Sequence, residues 1–231
     1  MRRGAAAALA LVLALVLGAC GGGDNDGGEA ADETVATTTS APPSDAVVRL
    51  NQLLLDEADL GPSGFEPVVT VRPFDAQRAT RVRICEEDLR AELGVVNGRQ
   101  SRFTDGTVEL SHTVTSGGDA VGLVDRFRAV VQECEEPWVD PPLPTGGGPV
   151  RREITGAYPM PADLGMDGTG AVVRSRNGVG GTDTVVIVLV QGALVSSLSI
   201  SGPVGSGFEV VDPAIVAAAE RLASVQSPAG P

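Results

Sequence analysis

Residues 185–202 read VVIVLVQGALVSSLSISG, and this stretch decides the predicted fold. Two runs rich in β-branched residues, 184–191 and 193–201, flank Gln191-Gly192, a pair that favours a tight turn between strands. The stretch therefore predicts a β-hairpin. Because VVIVLV is apolar at every position, neither face of its strand suits water, and we expect a central strand that is covered on both sides.

The sequence around this hairpin supplies further strands and several helices. Alternating apolar and polar residues predict strands, and apolar residues at helical spacing predict helices. The predicted strands are 66–72, 107–115, 151–157 and 171–176, and the predicted helices are 45–60, 86–93, 119–134 and a last one that begins at Asp212-Pro213. Residues 135–149 have the composition of a loop. This order predicts an α+β fold, in which helices pack on an antiparallel β-sheet.

The amino terminus carries the pattern of an exported lipoprotein. Arg2 and Arg3 precede an apolar run, 5–17, which is shorter than the roughly 20 residues that span a bilayer but suits a signal peptide. Leu17-Gly18-Ala19-Cys20 resembles the bacterial lipobox. We expect cleavage of the signal peptide 1–19 and acylation of Cys20 with chains such as palmitate, which anchor the protein in the cell membrane. An ordinary signal peptide or a single-pass anchor is the alternative.

The remaining chain divides into a tether, one domain and a tail. Residues 20–45 are rich in Gly, Asp, Thr and Pro, and this composition predicts a disordered tether. Residues 46–226 are long enough for one hydrophobic core, so we expect a single domain on the extracytoplasmic side of the membrane. Residues 227–231 are predicted to be a disordered tail.

Composition excludes several classes of function. The formal net charge is −13, which disfavours binding to nucleic acid because like charges repel. The 17 basic residues are all arginine, so a lysine-dependent phosphate loop is impossible. This bias, with 30 glycines, is typical of a GC-rich genome. Three cysteines and one histidine do not readily supply the four ligands of a structural zinc site, and we expect neither a metal nor a cofactor.

Cys85 and Cys134 remain as a pair once Cys20 is acylated. An exported domain folds in an oxidising compartment, so the pair predicts a structural disulfide. A redox-active pair is the alternative, although the sequence Cys85-Glu86-Glu87 lacks the CxxC spacing of such sites.

His112 is the sole histidine, and it shares one face of a predicted strand with Val108, Leu110 and Val114. This pattern predicts a half-buried histidine with satisfied hydrogen bonds. A Ser-His-Asp triad would have to use it, yet the sequence contains no GxSxG nucleophile elbow. An envelope hydrolase that uses acidic residues or His112 is therefore the alternative to a non-catalytic protein.

The arginines that follow the first predicted strand are candidates for binding an anionic ligand. Arg78, Arg81 and Arg83 are candidates to line such a pocket together with Trp138 and Tyr158. Ion pairs between these arginines and the glutamates and aspartate beside them are the alternative.

Several stretches resemble one known family. LLLDEADLGPSGF (53–65) resembles its opening helix and turn, and DAVGLVDRFRAVVQEC (119–134) resembles its central helix, which ends in a disulfide cysteine. VVIVLVQGALVSSLSISG (185–202) and AIVAAAERLASV (214–225) resemble its last hairpin and final helix. The family is that of actinobacterial envelope lipoproteins with a PknH-like extracellular sensor domain. The resemblance covers most of 46–226 and implies a sheet with a cleft for a small extracellular ligand.

Taken together, these patterns predict a lipid-anchored envelope lipoprotein. Its extracytoplasmic domain would be a non-catalytic ligand-binding or sensor module, with a small molecule or an envelope protein as its partner. Because a kinase is absent from this sequence, a partner would have to report the sensing event. A lipoprotein that assembles with other proteins is a further alternative.

Overall fold

The computed structural model describes residues 45–61, 64–73, 83–85, 87–89, 97–116, 119–140, 148–177 and 180–225. The predicted signal peptide, Cys20, the tether up to residue 44 and the tail lie outside the described residues, as do Arg78 and Arg81. Every described residue belongs to one compact unit, 42–231. A chain that begins at residue 42 therefore keeps all the contacts given below.

Ten strands and three α-helices make up the described fold. In chain order the strands are β1 (Glu66–Pro73), β2 (Arg83–Ile84), β3 (Glu87–Asp88), β4 (Asn97–Thr104), β5 (Glu109–Ser116), β6 (Trp138–Asp140), β7 (Val150–Ala157), β8 (Asp167–Asn177), β9 (Gly180–Gln191) and β10 (Leu194–Pro203). The helices are α1 (Asp45–Gln52), a short 3-10 helix (Glu57–Leu60), α2 (Ala120–Glu133) and α3 (Val211–Ser224).

Eight of the strands form one sheet in the order β1-β4-β5-β10-β9-β8-β7-β6, and every neighbouring pair is antiparallel. Strands β2 and β3 form a separate hairpin. Helices pack on the sheet through two core clusters. The predicted α+β fold, an antiparallel sheet with helices packed on it, is confirmed.

The two faces of the sheet bury different sets of side chains. We call the face under α1, the 3-10 helix and α3 the α3 face, and the opposite face the α2 face. In β9, Val185, Ile187 and Leu189 belong to the α3-face core, whereas Val188 and Val190 belong to the α2-face core. Since successive side chains of a strand point to opposite faces, β9 is covered on both sides, as its sequence predicts.

Helix α2 begins and ends where the sequence predicts. The Asp119 carboxylate accepts a hydrogen bond from the Gly122 N–H at 2.9 Å, which caps the helix, and Cys134 is the C-cap residue. Five of its side chains face the α2-face core: Ala120, Leu123, Val124, Phe127 and Val130. Burial of this apolar stripe is what fixes the helix on the sheet.

Several predicted elements differ from the structure. The helix predicted over 86–93 is wrong for residues 87–89, because Arg83–Ile84 and Glu87–Asp88 pair as a hairpin. Cys85 sits at its turn with a φ of +56°, and Ile84 and Leu89 are buried in the α2-face core. These tertiary contacts outweigh the local helical pattern.

The sequence patterns also fail to predict two strands and the first residue of one helix. Strand β4 was not predicted, and β6 lies inside the predicted loop 135–149. Helix α3 begins at Val211, and Val210 at its N-cap makes no side-chain capping bond. Asp212 therefore lies in the first helical turn and is not the cap.

Candidate functional site

A cavity of about 430 Å³ lies on the α2 face of the sheet. Hydroxyl side chains from three strands form much of its lining: Ser175 of β8, Thr182 and Thr184 of β9, and Ser199 and Ser201 of β10. Val150 and Arg152 of β7 and the backbone of Gly180-Gly181 complete it. The cavity is thus a polar recess built on regular strands, which hold side chains more rigidly than loops do.

Cross-strand register brings these hydroxyls together. Ser175 lies opposite Thr182, and Thr184 lies opposite Ser201. Residues that face each other across an antiparallel pair point to the same face, so the four side chains share the α2 face with the buried Val188. These four side chains lie farther along their strands than the residues that α2 covers.

Among the described residues, α2 covers only part of this face. A helix of 14 residues is about 21 Å long, whereas a strand of 12 residues such as β9 extends about 40 Å. Helix α2 packs against Ala171 of β8, Val188 of β9 and Val195 of β10. The hydroxyl residues lie at the opposite ends of these strands, and none of them belongs to the α2-face core.

Most of the cavity hydroxyls are available to a ligand. Thr184 Oγ1 and Ser201 Oγ form a hydrogen bond of 2.9 Å with each other. Within the described part of the chain, the hydroxyls of Ser175, Thr182 and Ser199 have no side-chain partner. Since a hydroxyl donates one hydrogen bond and accepts two, the lining can serve both donors and acceptors.

Arg152 alone is charged among the described residues that line the cavity. Its Nε lies 2.7 Å from Asp140 Oδ2 on the edge strand β6, so its charge is balanced locally. Trp138 lies opposite Arg152 in the β6–β7 register and is only 4% exposed. Its indole N–H, the Asp140 Oδ1 and the Arg152 Nε are all buried without a hydrogen-bond partner among the described residues, so the contact between Arg152 and Asp140 is an ion pair and not an aligned hydrogen bond.

A second arginine pair secures the strands from the other side of the sheet. Arg174 donates to both carboxylate oxygens of Asp183, at 2.8 and 3.0 Å, across β8 and β9. The hydrogen bond from Arg174 lowers the pKa of Asp183 below 3.8, although partial burial opposes the shift. Asp183 stays ionised at neutral pH, and the pair ties together the two strands that carry Ser175, Thr182 and Thr184.

His112 is a structural residue of the α3-face core. Its side chain is fully buried, its Nδ1 accepts a hydrogen bond from the Leu55 N–H at 3.0 Å, and its Nε2 lies 2.8 Å from Ser196 Oγ. Because Nδ1 is an acceptor, the neutral ring carries its proton on Nε2 and donates it to Ser196. Burial, with a smaller contribution from the charge of Arg221, lowers the pKa of His112 to about 3. The structure buries this histidine more deeply than the half-buried position predicted from its strand pattern.

The buried His112–Ser196 pair does not form a reachable catalytic site. Both side chains have 0% exposure, so a substrate in solvent cannot contact either. A general base must come within hydrogen-bond reach of the proton that it removes from a substrate, and this pair cannot. The geometry therefore offers no support for a hydrolase built on His112.

The predicted ligand residues are not brought into one pocket. Trp138 lies opposite Arg152 in the register of β6 and β7, but it is not among the described residues that line the cavity. Tyr158 packs against the α3-face core and donates a hydrogen bond to Asp212 of α3 at 2.8 Å. Partial burial and this bond to a carboxylate raise the pKa of Tyr158 to about 12. Of the three predicted arginines, Arg83 is described only as part of the backbone of β2.

The Cys85–Cys134 pair forms a disulfide, with 5.8 Å between the Cα atoms. It joins the turn of the β2–β3 hairpin to the C-cap of α2. Beside it, Arg126 of α2 binds the Glu87 carboxylate of the same hairpin. Two links thus attach the hairpin to the helix, which agrees with a structural disulfide.

The described residues contain no cluster of three or more His, Cys, Asp or Glu side chains that would hold a metal ion. None of the described helices is both long enough and apolar enough to cross a membrane.

The sequence patterns identified the strands of the cavity but not the cavity itself. The signal lies in SSLSIS (196–201), where Leu198 and Ile200 alternate with serines. Beside the wholly apolar VVIVLV, this alternation indicates that one face of the hairpin leaves the core. No sequence pattern singles out Arg152, because its role depends on the ion pair with Asp140. The strand that carries Asp140 is too short to predict.

The fold and the cavity together define a class of domain: a single antiparallel α+β sheet with helices on both faces and a polar recess on one of them. The sequence matches no protein-family model, and no curated protein is detectably similar to it. Among solved structures, the chain is similar to the extracellular domain of PknH from Mycobacterium tuberculosis. The TM-score is 0.54 at 12% sequence identity, and the match covers 78% of this chain and 95% of that chain. The PknH-like fold that the sequence resemblance implies is thereby confirmed.

Proposed function

We propose that this protein is a lipid-anchored envelope lipoprotein whose extracytoplasmic domain binds a small ligand without catalysing a reaction. The hydroxyl-lined cavity beside Arg152 carries the proposal, because a recess of about 430 Å³ with converging polar groups is typical of a ligand site. Its fold resembles that of a domain described as extracellular, which supports a location outside the cytoplasm. The lipobox at Cys20 supports the anchor.

Two alternatives have less support. A hydrolase based on His112 would need a solvent-reachable base, and this histidine is fully buried. A lipoprotein that assembles with other envelope proteins would need an extended apolar surface. The exposed large hydrophobic residues among those described are single valines, such as Val68 of β1, Val121 of α2 and Val139 of β6, which lie on different elements.

The lipid anchor is tested with the full chain expressed in an actinobacterial host. We expect the protein in the membrane fraction, with an intact mass that shows loss of residues 1–19 and gain of acyl chains. Cys20→Ser should abolish the acyl mass and release the protein from membranes. Ala19→Gly is the matched control because it keeps a small residue before the cysteine. Membrane retention of Cys20→Ser at the same level as Ala19→Gly would contradict the proposed anchor.

Ligand binding is tested with residues 42–231, secreted into an oxidising compartment and screened by thermal shift against envelope metabolites, lipids and glycans. A ligand at 100 times its Kd stabilises the native state by about 2.7 kcal/mol, which raises the Tm of a domain of this size by a few degrees. A shift that Arg152→Gln abolishes would support the proposed site. A folded domain that no compound stabilises would favour the protein-assembly alternative.

A further inference from the structure

We propose that the cavity recognises a neutral, polyhydroxylated ligand, that is, a carbohydrate unit, in preference to an anion. The inference rests on the proposed binding function and names its ligand class. Two features of the described residues carry it: the hydroxyls of the lining and the ion pair that balances the charge of Arg152.

The lining has the same hydrogen-bonding chemistry as a sugar. Thr184 and Ser201 bind each other, and each hydroxyl has one donor and two acceptor sites. Their bond therefore leaves one donor and three acceptor sites between them. Ser175, Thr182 and Ser199 add three hydroxyls that are without a side-chain partner in the described structure. A ligand whose own hydroxyls both donate and accept can satisfy such a lining, whereas a carboxylate or phosphate oxygen only accepts.

The charge of the cavity disfavours an anionic ligand. The Arg152–Asp140 contact of 2.7 Å balances the single positive charge among the described lining residues. An anion would have to leave water and compete with Asp140 for the guanidinium, and a buried charge without a counter-ion is unstable. The chain as a whole is also acidic, with a net charge of −13, and therefore repels anions at long range.

The experiment titrates residues 42–231 with the neutral sugars glucose, galactose, mannose and arabinose and their disaccharides. Glucuronate and inorganic phosphate are the anionic probes. Binding is followed by two-dimensional amide NMR and by the fluorescence of Trp138, the sole tryptophan. We expect at least one neutral sugar to shift resonances of β8, β9 and β10 around the cavity, and to bind more tightly than either anion.

Isosteric variants assign the binding to the hydroxyls. Thr182→Val combined with Ser175→Ala removes two cavity hydroxyls and should weaken sugar binding about tenfold or more, because the ligand then loses hydrogen-bond partners that it left water to meet. Thr107→Val is the matched control, since Thr107 is an exposed residue of the β4–β5 turn. It should leave the sugar Kd unchanged.

Each remaining outcome decides between the two proposals. Tighter binding of phosphate or glucuronate that Arg152→Gln abolishes would overturn the carbohydrate inference and leave the binding function standing. Silence of a folded domain towards every neutral sugar would also overturn the carbohydrate inference, and the broader thermal-shift screen then decides the binding function separately. Equal loss of sugar binding in Thr107→Val and in the double variant would show that the hydroxyls of the cavity are not the site.

Discussion

The burial of His112 makes the stability of the domain dependent on pH in a defined window. The unfolded chain protonates this histidine near its ordinary pKa of 6.5, whereas the folded protein does so at about 3. Between these values the unfolded state binds more protons, so lowering the pH favours unfolding. The stability contributed by the neutral histidine is complete above 6.5 and is lost progressively as the pH falls towards 3.

The expected loss follows from the size of the shift. Each pKa unit corresponds to about 1.4 kcal/mol, so the free energy of unfolding should fall by about 2 kcal/mol between about pH 7.5 and about pH 5. This is a large part of the 5–15 kcal/mol that is typical of a domain. The physical reason is the burial of the ring, which disfavours its charged form, with a smaller contribution from the charge of Arg221.

Urea denaturation at the two pH values measures this effect, with Trp138 as the fluorescent reporter because it is buried in the native state. His112→Gln is the control, since an amide can accept from Leu55 and donate to Ser196 but does not titrate. We expect the variant to be less stable than the native protein but nearly insensitive to pH in this window, because the carboxylates protonate at lower pH. The same loss of stability in both proteins would refute the assignment of the effect to His112.

Two further predictions concern the packing and the disulfide. Replacing Cys85 and Cys134 together by serine should cost about 4 kcal/mol in the free energy of unfolding, since the bond closes a loop of 49 residues, and a native protein that loses no stability on reduction would contradict this. Gly170→Ala should cost about 1–3 kcal/mol, because a Cβ there would lie 2.4 Å from the Ile187 Cδ1 in the α3-face core. Gly156→Ala is its control, with nothing within 4 Å of the added Cβ, and equal Tm values for the two variants would refute the steric argument.

Much of the sheet could be predicted because its strands carry strong local patterns. The hairpin over 185–202 and the face shared by Val108, Leu110, His112 and Val114 are found where alternation places them. The capped helix α2 is also where its apolar stripe and Asp119 predict it. In each of these elements, intrinsic propensity, hydrophobic pattern and tertiary packing favour the same structure. Such agreement is what makes a local prediction reliable.

Other elements have no local signal that could identify them. Strand β4 reads NGRQSRFT and alternates weakly, and it is a strand because it pairs with β5 along eight residues. There Gln100 donates to Ser111 and Thr113 from the neighbouring strand, a contact that no pattern within β4 reveals. The predicted helix at 86–93 fails for the opposite reason, since the disulfide and the burial of Ile84 and Leu89 overrule a plausible local pattern.

The sequence by itself determined the fold class, the central hairpin, the pairing of the two domain cysteines and the histidine on an apolar strand face. It also showed, in SSLSIS, that one face of β10 is polar. Only the tertiary structure decided that this polar face lines a cavity, because among the described residues α2 packs against Ala171, Val188 and Val195 and not against the hydroxyl residues. The tertiary structure also placed Arg152 against Asp140, and thereby balanced the one charge among the described lining residues, because such pairing depends on the register between strands and not on any single segment.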